Sequence, residues 1–185
     1  MDEIIAYTDR LYLRMLEETD EEFVFQILSE YSSIKLFQNN SELANLYRKA
    51  NWEEVTGPTT VNALIFTKDT NEFVGKVCMQ FVDKPMPELG IDILKKYQNK
   101  GYGPEAIIAF SDWYTKKHSL PAVKVRISKD NSHSIHIFEK LGAEFIGSTS
   151  YVSEASLDYF KKTLPDANLD ELSQDSVREY LLRYQ

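Results

Sequence analysis

Apolar residues along the chain switch between a spacing of two and the three-to-four spacing of a helix, and the switches set out an ordered series of elements. Residues 10–16 alternate, with Leu11, Leu13 and Met15 on one face and Arg10, Tyr12 and Arg14 on the other, which predicts a half-buried strand. Thr19 or Asp20 then caps a helix with an acidic first turn and Phe23, Ile27 and Leu28 as its apolar stripe. A short helix over residues 41–48 follows an aromatic-rich irregular join at 31–37. Beyond Gly57 and Pro58, residues 61–67 and 73–82 read as two strands joined by a hairpin turn at 68–71, and residues 88–94 read as a third. From Pro104 the positions Ala106, Ile107, Phe110, Trp113 and Tyr114 have helical spacing, ending near His118. Residues 123–127 alternate, and 131–140 form a helix with Ile135, Phe138 and Leu141 inward and Gly142 as its stop. A strand at 145–152 precedes a helix within 155–174 that Pro165 breaks, and residues 177–184 read as either a closing strand or a helix, with the strand favoured. The order β α α β β β α β α β α β predicts an α/β fold, and 185 residues suit one domain.

Charge and composition remove several classes. Twenty-one basic residues against 29 acidic ones give a net charge of -8, against the broad basic surface that nucleic acid requires. The single cysteine, Cys78, excludes an internal disulfide framework and fits a reducing cytoplasm. The first residues lack the basic and long apolar regions of a secretory signal, and no apolar run is long enough to predict a membrane span.

The segment that carries chemistry follows the strand at 88–94. Gly101 and Gly103, one residue apart, let the backbone turn tightly and bring its N–H groups close to a ligand. A helix starting at about Gly103 or Pro104 adds free N–H groups and the positive end of its dipole. Lys95, Lys96 and Lys100 add local positive charge in an acidic chain. These features describe an anion cradle, with a plain strand-to-helix turn carrying solvated lysines as the alternative. Neither G-x-G-x-x-G nor G-x-x-x-x-G-K-[ST] is present, which sets aside the dinucleotide and P-loop readings.

Residues 98–103, Gln-Asn-Lys-Gly-Tyr-Gly, resemble the [QR]-x-x-G-x-[GA] coenzyme-A signature of the GNAT acetyltransferases. Asn131 and Ser134, followed by Glu139-Lys-Leu-Gly142, resemble the second landmark of that family, and residues 8–14 look like the opening of its ribosomal-protein N-terminal acetyltransferase branch. The resemblance implies a GNAT-like acyltransferase fold, a mixed central sheet with helices on both faces. It further implies acetyl-CoA as co-substrate and transfer of acetyl to a primary amine, either a small molecule or a peptide N-terminus, by direct attack in a ternary complex. In the family the pyrophosphate rests on the turn, here Gln98, Asn99, Lys100, Gly101, Tyr102, Gly103 and Pro104. The pantetheine arm pairs with the preceding strand, here Ile91 to Leu94, with an amide of Ile93 or Leu94 polarising the thioester carbonyl. Asn131 corresponds to the asparagine that contacts the arm, and Glu88 to the glutamate that serves many relatives as base, a role that partial burial would favour. Many relatives place a tyrosine where this chain has Phe138, so the proton for the departing thiolate has no assigned source; Ser134, Tyr102 and water are the candidates. A module of the same fold that binds coenzyme A without turnover is the alternative. A homodimer is left open, and residues 153–174 are a candidate insertion on the acceptor side.

Three further features are assigned to structure. His133 and His136 lack a third ligand and are expected to be solvated, so no metal is expected. His118 suits a helix C-terminus. Cys78 lies among apolar strand residues, where a small buried hydrophobe is the default.

Overall fold

A computed structural model describes residues 3–30, 41–150, 162 and 176–184. The aromatic join at 31–37 and all of the candidate insertion except Lys162 lie outside the described residues. The chain forms two compact units that divide between Leu120 and Pro121.

The first unit is an antiparallel sheet of five strands in chain order: β1 (Ile4–Tyr7), β2 (Leu11–Met15), β3 (Thr60–Thr67), β4 (Phe73–Gln80) and β5 (Glu88–Ile93). Its core includes Leu11, Leu13, Ala63, Leu64, Ile65, Val74, Val77 and Met79, each sealed from solvent, and each large aliphatic side chain contributes roughly 1.5–3 kcal/mol by burial. Adjacent positions Ala63, Leu64 and Ile65 are all at 0% exposure, so both faces of β3 are covered. Helices α1 (Glu21–Leu28) and α2 (Ser41–Val55) cover one face. Phe23 of α1 packs on Phe66 and Phe73 at ring distances of 5.5 and 4.7 Å, and the carbonyl of Val55 at the end of α2 accepts from Asn62 of β3. Helix α3 (Tyr102–His118) lies on the other face and buries Ala106, Ile107, Phe110 and Tyr114. Lys116, Lys117 and His118 in its last turn suit the negative end of the dipole, and Ser119 closes it at φ 53.

Both faces being covered changes the account of β2. Arg14, expected to point to solvent, is only 7% exposed. Its guanidinium meets the Asp20 carboxylate through two bonds, Nη1 to Oδ2 at 2.6 Å and Nη2 to Oδ1 at 2.8 Å. Asp20 therefore does not cap α1 with its side chain. Its carboxylate takes Arg14 and the backbone N–H of Glu17 instead. Burial opposes that charge, but these bonds outweigh it and hold the Asp20 carboxyl below the ordinary range. Two bounds also differ from expectation: β1 was not foreseen, and α2 runs to Val55 rather than stopping near Arg48. Arg48 instead bridges the helices, reaching Glu21 and Glu22 of α1 while its guanidinium lies over the Phe25 ring.

The second unit contains β6 (Ala122–Ser128), α4 (Ser132–Lys140), β7 (Glu144–Thr149) and β8 (Val177–Arg183). The last strand inserts between the other two and pairs antiparallel with both. Val177, Tyr180, Leu181 and Leu182 are buried, and the closing segment is a strand, the favoured of its two readings. Helix α4 buries Ile135 and Phe138, while Leu141, expected inward, is half-buried because it already caps the helix end. Gly142 then turns the chain at φ 83.

Candidate active site

The turn between β5 and α3 has the geometry of an anion cradle. After a short helical turn at Lys95–Tyr97, the backbone takes positive φ at Asn99 (60°) and Gly101 (80°), and α3 begins at Tyr102, slightly earlier than the sequence suggested. No side chain caps that helix, and Pro104 carries no N–H, so the amides of Tyr102 and Gly103 stand at its open start. The carbonyls around them are tied back. Ile93 O accepts from Gln98 Nε2 at 2.8 Å, Leu94 O from Tyr97 N at 2.8 Å and Lys95 O from Gln98 N at 3.2 Å. Lys100 O accepts from Arg10 Nη1 at 2.8 Å, and Gly101 O from Glu105 N at 3.5 Å. A backbone whose oxygens are held by internal donors presents its remaining donors to an anion. Lys95, Lys96 and Lys100 are exposed beside it, the last two with their ammonium groups 4.6 and 5.3 Å from the Tyr97 ring centre.

Strand β5 has two different edges. Leu94 N–H donates to Val74 O at 3.0 Å, which closes the ladder to β4, so this amide is not open to a ligand as one of the two candidates required. Leu94 itself is 1% exposed. In an antiparallel pair hydrogen-bonded and open positions alternate. With Gly75 opposite Ile93 and Val77 opposite Ile91, the amides of Ile91 and Ile93 face the edge turned away from β4. The close fit of β4 on β5 depends on Gly75, since a Cβ there would sit 2.1 Å from the carbonyl oxygen of Asp92.

Positions 88, 90 and 92, occupied by Glu88, Gly90 and Asp92, share a face of β5. Glu88 begins the strand opposite Gln80 and is 8% exposed, buried at the strand entrance. Asp92 pairs with the buried Lys76, Nζ to Oδ2 at 3.3 Å, and Lys76 Nζ also donates to Asn62 Oδ1 at 3.3 Å. Burial opposes the charge of Lys76, yet the Cys78 sulfur and Asp92 carboxylate beside it raise its pKa above the ordinary value. Cys78, 3% exposed, lies where a Cβ on Gly90 would approach its sulfur to 2.9 Å, and burial pushes its thiol pKa up. It is the buried strand residue expected from its neighbours.

In the second unit Asn131 caps α4, its Oδ1 accepting from Ser134 N at 3.1 Å. This explains the Asn-x-x-Ser spacing structurally while leaving the Asn131 side-chain amide as a donor. Phe138 is 2% exposed, placed in the core by the same helix. His133 and His136 are exposed on α4, and no three His, Cys, Asp or Glu residues group to hold a metal among the described residues.

Pattern reasoning missed Thr8, Arg10 and Glu105. Glu105 Oε1 accepts from Thr8 Oγ1 at 2.5 Å and from the Arg10 backbone N–H at 3.0 Å, and Oε2 accepts from Arg10 Nε at 2.7 Å. The Arg10 guanidinium also lies 4.7 Å from the Tyr102 ring centre. Burial opposes ionisation of Glu105, but the Thr8 and Arg10 bonds overcome it and lower its pKa. The opening motif at residues 8–14 was the available signal, although nothing in its spacing named a partner so far along the chain.

A sheet strand leading into a glycine turn and an uncapped helix is the arrangement of an acetyltransferase of the GNAT class, and residues 10–144 match the acetyltransferase (GNAT) domain family. The chain belongs to that family and is an acetyltransferase. It is 25% identical over 142 residues to the uncharacterized N-acetyltransferase p20 of Bacillus licheniformis, covering 73% of this chain and 79% of that protein. Two solved structures share its fold. One is RimL, the ribosomal L7/L12 alpha-N-protein acetyltransferase, with a TM-score of 0.68 and 16% identity over 100% of this chain and 96% of that one. The other is a set of mutant forms of the spermidine/spermine N-acetyltransferase SpeG from Vibrio cholerae, with a TM-score of 0.67 and 16% identity over 95% of each chain. The α/β GNAT fold expected from the sequence is thus the fold of the protein. No helix among the described residues is long and apolar enough to cross a membrane.

Proposed function

We propose that the protein transfers acetyl from acetyl-CoA to a primary amine by direct attack in a ternary complex. The observation that carries this is the turn at residues 98–104, with the carbonyls of Lys100 and Gly101 tied back and amides open at the start of α3. The pyrophosphate would rest on this turn, and the pantetheine arm would pair with the outward amides of Ile91 and Ile93. The Ile93 N–H would then polarise the thioester carbonyl. An alkylammonium has a pKa near 10, so the acceptor must lose a proton before it attacks. Glu88 would take that proton, directly or through water. The amine nitrogen bonds to the carbonyl carbon, the C–S bond breaks with its electron pair on sulfur, the acylated nitrogen releases its second proton to solvent to leave a neutral amide, and the thiolate takes a proton from solvent. Phe138, which has no hydroxyl, makes water the simplest donor for that step.

The acceptor is a small polyamine or a peptide N-terminus, the two classes on which the structural neighbours act. The buried free thiol of Cys78 suits a cytoplasmic enzyme. The test is thiol release from acetyl-CoA across peptides, polyamines, aminoglycosides and amino acids, with Glu88→Gln beside the wild type. The expected result is turnover with one acceptor class, lowered about tenfold or more in the variant with little change in acetyl-CoA affinity. Binding of acetyl-CoA without thiol release from any amine would support a non-catalytic module instead, and unchanged turnover in Glu88→Gln across pH would remove Glu88 from the mechanism.

A further inference from the structure

The geometry points to a latch: we infer that Arg10, held by Thr8 and Glu105, is a positioning residue that keeps the glycine turn in its diphosphate-binding shape. The inference rests on the proposed use of acetyl-CoA. Its first support is how the guanidinium is used. Nε and Nη2 are directed at Glu105 Oε2, at 2.7 and 2.5 Å, and Nη1 at the carbonyl of Lys100. The strong donors of Arg10 are thus directed within the protein, which distinguishes it from an arginine that grips phosphate itself.

The second support lies in the turn. Lys100 O is its one carbonyl held by a side chain from a distant strand hairpin, and it belongs to the residue between the two positive-φ positions. If that oxygen were released, the peptide between Lys100 and Gly101 could rotate, turning an acceptor toward the anion and a donor away from it. The third support is steric. A Cβ on Gly101 would come within 3.2 Å of Arg10 Nη2, so the arginine lies directly against the turn at the residue whose φ of 80° already favours glycine. Glu105 sits in the first turn of α3, so the latch fixes the helix start and the turn together. Thr8 completes it by holding Oε1 while the same hydroxyl accepts from Leu11 N–H at 2.8 Å. The opening motif thereby acquires a division of roles: Thr8 and Arg10 brace the cradle, Leu11 and Leu13 fill the core, and Arg14 pairs internally with Asp20.

The experiment compares wild type, Arg10→Gln and Arg10→Lys in calorimetric titrations with CoA and with pantetheine, which lacks the diphosphate. Turnover is measured with acetyl-CoA and with S-acetyl-pantetheine. Arg10→Gln is expected to weaken CoA binding and raise the acetyl-CoA KM about tenfold while kcat stays within about twofold, because the turn loses its shape and the reacting centre does not. Pantetheine binding and S-acetyl-pantetheine turnover are expected to be unchanged. Arg10→Lys should behave like Arg10→Gln, since an ammonium on a flexible stem cannot hold both Glu105 and Lys100 O. With an Arg10 side chain 48% exposed, the variants are expected to keep the fold, checked by thermal melting. Glu105→Gln supplies a second route to the same loss. An active wild type with unchanged CoA affinity in Arg10→Gln overturns the latch alone, as does equal loss toward both donors. A wild type that neither binds nor consumes acetyl-CoA overturns the acetyltransferase reading and the latch with it.

Discussion

The buried pair of Arg14 and Asp20 allows the effect of removing one member of a buried ion pair to be measured. Both side chains are below 10% exposed, at 9% and 6%, and two bonds join them. At a charge separation of about 4 Å and an effective dielectric near 20, their attraction is about 4 kcal/mol, offset by the cost of removing both charges from water. Asp20→Ala removes one partner and leaves Arg14 buried between β2 and α1, where it lies 5.1 Å from the Phe66 ring centre. The expected loss is about 3–5 kcal/mol. In the double variant Arg14→Met/Asp20→Ala the buried charge is gone as well, and at least half of that loss should return. Urea unfolding followed by circular dichroism reads both as shifts in midpoint at constant slope. The pH dependence has a definite sign. The folded-state carboxyl pKa lies below its ordinary value of 3.8, so the stabilisation is fully present above that value. It is lost as pH falls through the lower folded-state value, and wild type and Asp20→Ala should converge there. A loss under about 1 kcal/mol in Asp20→Ala, or a double variant no more stable than the single one, would refute the reasoning.

Two further outcomes follow from the contact of β4 and β5. Gly75→Ala places a Cβ 2.1 Å from Asp92 O and 3.0 Å from Ile93 Cα; because both are backbone, the strands must separate, with a loss of about 3 kcal/mol or more by urea unfolding and loss of turnover with it. A variant within about 1 kcal/mol of wild type would show that the strands have slack there. Cys78, with a buried thiol whose pKa burial raises, should react with iodoacetamide at pH 8 about a hundredfold more slowly in native protein than in urea. Complete native labelling within minutes would mean that β4 opens locally.

What the sequence showed and what it concealed divide along the range of the interactions. Strands β2 to β6 and helices α3 and α4 announce themselves through a local period and local punctuation such as Gly142. Strand β1 did not, because its four residues, Ile-Ile-Ala-Tyr, contain no alternation and owe their form to pairing with β2. The solvent-facing assignment of Arg14 failed because period two gives sides, and only the packing of α1 decides whether the second side is wet. The cradle was legible as two glycines before a helix, since backbone freedom is a local property. The choice between the amides of Ile93 and Leu94 was not, because it depends on the pairing of β5 with β4, where a shift of one residue reverses the answer. Arg10 was invisible as a partner of the turn for the same reason, with 95 positions separating it from Glu105.

That separation also has a kinetic meaning. The contacts between Thr8, Arg10 and Glu105 close a loop of more than half the chain, so they are expected to form after β2 to β5 have assembled between them. During synthesis Arg10 leaves the ribosome long before its partner and waits for it. The cradle should therefore be among the last parts of the first unit to reach native geometry, and a refolding chain should regain its secondary structure before it regains affinity for the proposed co-substrate.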